Sequence, residues 1–536
     1  MRLMTKLFGI TLALTAATAT VSAHAQTVLF NAIGSSAQFL EAGLAAGTSS
    51  SGSPAGLGAT CVWSQKSSSA GAIQATDPTT AQAESGNAWI AWTPNGGTCA
   101  APTSGFKIYA YLQTDSTVGV RCYFNGCKIG ASGSPVSTAP DGLIFGISGE
   151  VSLPSTVWSA LSNLAVNVAA TDIRPEDAAF ATLRATTTCG SAIASSNYLG
   201  LGYTSGGTPI ASEYSGSTFH VTSIPSFSST SSFSVTPVGA APIMVFVNPS
   251  NANGFGTTSF NNISRGDLAK FLDGSYGKTN DGSTGITGSY ATTVLIREPL
   301  SGTYNTMEFA VPNTTTRYTS QDVGLNQSAT QQNCPVQNPL NKQSDDNTSA
   351  YRNRVIGTGQ MVSVALNLTN PLNTSTPQTQ DTLAYAFWSV ANFSAATSTN
   401  AKYLKVDGVD PIESAYATGG VIPTGSSLST NVTFTHINDG TYPIWSLLRL
   451  VAASPAPAAV AKMALIEQNF VPSSSRPDFV PYNSLTVLHS HFTPPGISYP
   501  SGSTPANGAS GCTPEAGGDV GGVILASTSC TTNSRM

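Results

Sequence analysis

Arginine followed four residues later by a Ser-Gly-Thr triplet is the arrangement in this chain best suited to hold an oxyanion. The residues are Arg297, Ser301, Gly302 and Thr303, and they come after the run Thr292-Thr293-Val294-Leu295-Ile296. Beyond the triplet, Tyr304, Met307 and Val311 recur at the three-to-four spacing of a buried helical stripe. A helix start presents amide donors without intrahelical partners, at the positive end of the helix dipole. Glycine admits a close backbone approach, two hydroxyls add donors, and the guanidinium adds a planar charged fork. An ordinary capped helix start has the same residues, so anion cradle and simple cap both stand as readings.

Strands and helices must position these groups, and four segments repeat one pattern: apolar run, small polar cluster, helical periodicity. Val28-Leu29-Phe30 leads to Gly34-Ser35-Ser36 and on to Ala37, Leu40 and Leu44, with Gly47 as a stop. Ile108-Tyr109-Ala110-Tyr111-Leu112 leads to Asp115-Ser116-Thr117-Val118-Gly119. Leu164-Ala165-Val166-Asn167-Val168 leads to Thr171-Asp172, and Pro175-Glu176-Asp177 opens a helix carrying Phe180 and Leu183. The Arg297 segment is the fourth. Strands alternating with helices predict parallel α/β sheets, whose ligands lie beyond the carboxyl ends of the strands. All four polar clusters fall at such ends. Ser264-Arg265-Gly266-Asp267 starts a further helix with Leu268, Phe271 and Leu272 on its apolar face and Gly274 as its stop. Polar, low-complexity stretches at about 48–58, 204–232, 313–350 and 494–536 read as surface insertions or tails.

Residues 1–25 read as a secretory signal. Arg2 and Lys6 form a basic start, Leu7 to Val21 an apolar run, and Ala23-His24-Ala25 a cleavage site. No cysteine follows the cut, which argues against a lipid anchor, and no later stretch approaches the length of a membrane span. Removing 25 of the 536 residues leaves 511, and losing Arg2 and Lys6 takes the formal charge from −5 to −7. That balance disfavours nucleic acid and anionic membranes as partners. Charged residues make up only 9%, while 40% hydrophobic content suffices for a core. The eight cysteines (Cys61, Cys99, Cys122, Cys127, Cys189, Cys334, Cys512 and Cys530) favour disulfides in an oxidising compartment, Cys122–Cys127 and Cys512–Cys530 being candidate local pairs. His489 and His491 would share one strand face, which reads as a strand end rather than a metal site. No nucleophile elbow, zinc-protease motif or phosphate-binding P-loop occurs, so neither an enzyme nor a cofactor is expected. Gly200-Leu201-Gly202 lacks the third glycine of a dinucleotide fingerprint.

The order of these segments resembles the type II periplasmic binding proteins, in particular the phosphate-binding proteins of ABC importers and their DING-type relatives. Gly34-Ser35-Ser36 stands where that family has its first small-polar turn, Asp115 to Gly119 its second, and Thr171-Asp172 its Ser-Asp pair. Ile243 to Asn248 resembles the strand crossing between lobes, Leu268 to Gly274 a family helix, and Tyr442-Pro443-Ile444-Trp445 the return to the first lobe. Arg297, Ser301, Gly302 and Thr303 match the Arg-x-x-x-Ser-Gly-Thr signature in full. The first turn departs from the family in lacking its Thr-Phe, and the second gains an acidic Asp115.

The resemblance implies an α/β, two-lobed type II periplasmic-binding-protein-like fold with a hinge, polar surface insertions and a C-terminal tail. Lobe one would combine 27–240 with 436–536, and lobe two would be 241–435. It further implies a periplasmic or secreted protein that captures inorganic phosphate or a related oxyanion in an inter-lobe cleft, with an ABC permease as partner. Ser35, Ser36, Ser116, Asp172, Arg297, Ser301, Gly302 and Thr303 would be the ligand-binding residues. Asp172 bears on selectivity, because hydrogen phosphate has a proton to donate to it and sulfate has none; alternatively it caps the helix begun at Pro175. Arg121 and Arg174 are extra anion contacts or salt bridges, and Arg352 and Arg354 are uncommitted. Tyr385, Phe387 and Trp388 are expected to pack in the core. Two other classes remain open: a secreted or surface interaction protein reusing the fold, and a DING-like phosphate-ester hydrolase.

Overall fold

β-branched and aromatic runs separated by small polar turns build one mixed sheet with helices on its faces. The computed structural model describes residues 26–48, 50–51, 55–78, 83–130, 139–144, 149–173, 175, 178, 233–248, 251–297, 300–311, 342–343, 351–355, 357–367, 381–394, 401–413, 420–423, 427–469, 478–489 and 523–525. The signal segment, Arg174, the 204–232 insertion, most of 313–350 and of the C-terminal tail, His491 and Cys189, Cys334, Cys512 and Cys530 lie outside the described residues.

The first lobe contains β1 (Thr27–Ser35), α1 (Phe39–Ala46), β2 (Cys61–Gln65), β3 (Ala88–Thr93), β4 (Lys107–Thr114), α2 (Ser116–Asn125) and β5 (Val168–Thr171). β6 (Phe233–Asn248) then runs the length of the molecule. The second lobe holds α3 (Arg265–Asp273), β7 (Thr292–Arg297), α4 (Gly302–Ala310), β8 (Tyr351–Val355), α5 (Gly357–Asn367) and β9 (Asp381–Phe387). β10 (Trp445–Ala453) and α6 (Ala458–Asn469) return the chain to the first lobe. Along the sheet the order is β8-β7-β9-β6-β10-β5-β1-β4-β3-β2.

β1 lies parallel to β4 and β5, and β7 lies parallel to β8 and β9. These two parallel cores carry the strand-end turns anticipated from the sequence. The sheet as a whole is mixed rather than parallel. β3 pairs antiparallel with β4, and β2 with β3. Asn95 and Gly96, both at positive φ, turn the chain back beyond β3. β6 and β10 are antiparallel to each other and to their outer neighbours.

β6 joins the lobes by changing partner. Phe233 to Pro242 pair with β10, and Ile243 to Asn248 pair with β9. Pro242 sits at the change, where a missing backbone donor costs least, and its carbonyl accepts from Trp388 N at 3.0 Å. The crossing strand anticipated at Ile243 thus begins back at Phe233; Pro237, Gly239 and Pro242 mask its alternating pattern. Gly239 is required there, since a Cβ would lie 2.2 Å from the Phe479 ring. Tyr442 ties the return segment to the same crossing by donating to the Ile243 carbonyl at 2.7 Å.

Cys61–Cys99 fastens the start of β2 to the turn beyond β3, and Cys122–Cys127 closes the end of α2 as anticipated. α3 starts with Ser264 accepting from Asp267 N at 3.0 Å and stops at left-handed Gly274. No described helix is long and apolar enough to cross a membrane.

Candidate functional site

The carboxyl ends of β1, β4 and β5 face those of β7 and β8 across the junction of the lobes, and the polar turns meet there. Arg297 ends β7 and is 1% exposed. Tyr385 of β9 holds its backbone, accepting from Arg297 N at 3.1 Å. Its Nη1 donates to Thr303 Oγ1 and to Thr358 Oγ1, both at 3.3 Å. Its Nη2 donates to Asp115 Oδ1 of the first lobe at 3.3 Å. One guanidinium therefore spans two helix starts of its own lobe and a carboxylate of the other.

α4 starts at this point. Ser301 is its N-cap, accepting from Tyr304 N at 3.4 Å, while Asn305 Nδ2 donates to the Ser301 carbonyl at 2.7 Å. The Ser301 hydroxyl thus acts as a cap. Gly302 begins the helix directly against Asp172, and a Cβ at position 302 would lie 1.8 Å from Asp172 Oδ1. Asp172, 1% exposed, is held by its own backbone N–H donating to Ser116 Oγ at 3.3 Å. A carboxylate over a helix N-terminus is in a favourable field.

The first turn approaches from β1. Ser35 accepts from Ala37 N at 3.2 Å, and its carbonyl accepts from Tyr111 OH at 2.5 Å. Ser36, half-buried, lies 3.5 Å from Thr358 Oγ1 through its hydroxyl. Gly34 makes the approach of the turns feasible: at φ 139° it packs so tightly on the Ala170 carbonyl that a Cβ would lie 1.9 Å from the oxygen.

Ser36, Arg297, Thr303 and Thr358 are thus linked by hydroxyl and guanidinium contacts, while Ser116, Asp172 and Gly302 form a second string beside them. Ser35 and Ser301 spend their hydroxyls on local turns. Thr358 is not among the expected site residues: Gly357-Thr358-Gly359 opens α5, but the strand before it, Tyr351-Arg352-Asn353-Arg354-Val355, lacks the apolar run of the other four segments. Asp115 reads in the sequence only as a departure from the family pattern, yet it is the group that meets Arg297 from the other lobe. Arg121 belongs elsewhere, in a buried ion pair with Glu84 and, at 3.6 Å, with Asp77. Tyr385, Phe387 and Trp388 are buried as expected, with Trp388 stacked on Phe393.

A cavity of about 360 Å3 lies in the same cleft, bounded by Ser36, Phe39 and Glu41 on one side, by Thr358, Phe387 and Trp388 on the other, and by Asp478. It stops short of Arg297, from which Thr358 separates it. Glu41 on α1 and Asp478, which line the cavity, and Glu467 on α6 are all buried, and Glu41 lies close enough to the other two to feel their charges. Burial, then the Asp478 and Glu467 charges, push the Glu41 carboxyl well up, and burial pushes Glu467 up to about 8. Tyr111, which supports the Ser35 turn, is raised by burial and then by Glu467, Asp172 and Glu41. Among the described residues no group of His, Cys, Asp and Glu is arranged to hold a metal ion.

No protein-family model matches the chain, and no curated protein matches it. Solved structures do. The chain is similar to a phosphate-binding protein from Stenotrophomonas maltophilia at 12% identity, over 72% of this chain and 87% of that one, with a TM-score of 0.33. It is similar to a DING protein at 14% identity over 69% and 84%, with a TM-score of 0.32. It also spans 66% of an ABC-type phosphate transport receptor from Vibrio cholerae, over 44% of its own length, at 12% identity and a TM-score of 0.24. At that level of likeness, any ligand must be argued from this chain's own atoms.

Proposed function

We propose that this chain is an exported solute-binding protein that captures a small oxyanion, phosphate first, between its lobes and delivers it to an ABC permease. The observation that supports this most directly is Arg297, fully buried at the meeting of both lobes and aimed at hydroxyls on two helix starts. Isolated buried guanidinium is costly unless charge and hydrogen bonds answer it. Here Asp115 answers it from the opposite lobe, and an oxyanion would take over that role as the lobes part and re-engage. The start of α4 would supply backbone donors, with Asp172 beside it.

With Arg297 positive and Asp115 and Asp172 negative, the cluster carries a formal charge of −1 before any ligand enters. An anion able to donate a proton to a carboxylate is accordingly favoured over one that cannot. Calorimetric titration of the refolded protein with phosphate and with sulfate tests this. Phosphate is expected to bind and sulfate not. Arg297→Ala should weaken phosphate by roughly 10- to 150-fold, the worth of a charged hydrogen bond, and Asp172→Asn should admit sulfate.

The Asp115–Arg297 pair also favours a second reading, in which the pair is a structural tie and the fold serves to bind a macromolecule. Heat with neither anion would select that reading. A phosphate-ester hydrolase gains no support among the described residues.

A further inference from the structure

The cleft holds more than an oxyanion cradle. Its cavity of about 360 Å3 falls within the usual size of a small-molecule site, about 300–1,000 Å3, and a bare tetrahedral anion at Arg297 would leave it unengaged. The two places are neighbours that share one wall, because Thr358 accepts from Arg297 on one side and lines the cavity on the other. Ser36 reaches Thr358 and lines the same wall.

The cavity's chemistry is opposite to that of the cradle. Glu41 and Asp478 line it and are 2% and 6% exposed, whereas Lys66, the one basic lining residue among the described residues, is exposed. Glu467 stands behind Glu41, is 0% exposed, and among the described residues has no hydrogen-bond partner for either carboxylate oxygen. Phe39, Phe387 and Trp388 supply aromatic surface. Carboxylates together with aromatic faces are the surroundings that stabilise an ammonium group, through charge and through the ring quadrupole.

We propose that the natural ligand is an oxyanion bearing a protonated amine on a short chain, an aminoalkyl phosphate or a close analogue, with its anionic head towards Arg297 and its ammonium group between Glu41 and Asp478. This rests on the oxyanion reading above and specifies its ligand. The ammonium group relieves the mutual repulsion of carboxylates that cannot all ionise in one buried place. Glu41 faces the acidic Asp478 and Glu467 and the neutral Tyr111 phenol, so a cation arriving there lowers its proton affinity and binding releases protons.

The decisive titration uses inorganic phosphate, ethyl phosphate, sn-glycerol 3-phosphate and phosphoethanolamine, in two buffers of different ionisation enthalpy. Phosphoethanolamine is expected to bind at least tenfold more tightly than ethyl phosphate, with proton release, and Glu41→Gln should shrink that gap to less than threefold. Equal affinity for ethyl phosphate and phosphoethanolamine overturns the inference, as does an equal gain for glycerol phosphate. Phosphate binding without phosphoethanolamine binding does so too, and in all three cases the oxyanion reading survives. Binding of none of the four overturns both. Should Glu41→Gln fail to fold, the ligand series on the unchanged protein decides alone.

Discussion

Arg297 and Asp115 meet at 3.3 Å with side chains 2% and 10% exposed, so solvent screens their attraction little. At an effective dielectric near 20 such a pair is worth about 4 kcal/mol, and removing one partner of a buried pair costs about 3–5 kcal/mol because the other charge is left behind. That asymmetry separates a binding site from a structural tie. Asp115→Asn keeps the shape and removes the charge, so the melting temperature should fall. If an oxyanion can replace the carboxylate, phosphate should restore the lost stability in a concentration-dependent way, and by more than it stabilises the unchanged protein. A variant whose melting curve ignores phosphate would make Asp115 a structural counter-ion. Nothing local in the sequence pairs residues 115 and 297; an acidic residue beside an anion site reads as a misfit until its partner on the other lobe is placed.

The strand-end turns were legible because their signals are local. An apolar run, a small polar cluster and a 3.6-residue stripe locate β1, β4, β7 and the helices after them without tertiary information. Ser301, Gly302 and Ser264 sit at helix starts for the same reason. Thr358 is hidden because β8, Tyr351-Arg352-Asn353-Arg354-Val355, has no apolar run to mark it as a strand, and the 313–350 insertion separates it in sequence from its parallel neighbour β7. The Ile243–Asn248 run lies in β6, but the strand begins at Phe233, since the prolines that read as breaks are tolerated where a strand changes partners. The contact between Gly302 and Asp172 was beyond any local signal, and it makes a prediction about the elements. Ser301→Ala should cost about 1 kcal/mol, as the loss of a cap does. Gly302→Ala must in addition displace the Asp172 carboxylate, so its cost depends on that side chain. In denaturant unfolding, Asp172→Ala combined with Gly302→Ala should be less destabilised than the sum of the two, by about 0.5–3 kcal/mol. Strict additivity would mean that α4 and the β5 turn are not in contact in solution.

Glu467 couples the whole molecule to pH, because α6 seals the first lobe against β6 and α1. Its carboxyl moves from the usual 4.5 to about 8 on burial, and Glu41 beside it moves in the same direction. A carboxyl whose proton affinity is raised by folding makes the native state hold more protons than the unfolded chain. Stability from this source is fully present below about 4.5, declines as pH rises, and is lost by the time pH passes about 8. Paired carboxylates give the opposite slope over the acid part of this range, because they lose stability on protonation, so the sign is diagnostic. Glu467→Gln keeps a neutral, uncharged side chain at every pH. Its free energy of unfolding should match that of the parent near pH 4.5 and exceed it increasingly towards pH 8, by a margin on the order of a few kcal/mol. Parallel curves for the two proteins across that range would show that Glu467 is ionised throughout and that a cation already answers it. In that case the carboxylate cluster would be a finished ion pair, and the cleft beside it would lose its reason to favour an ammonium ligand.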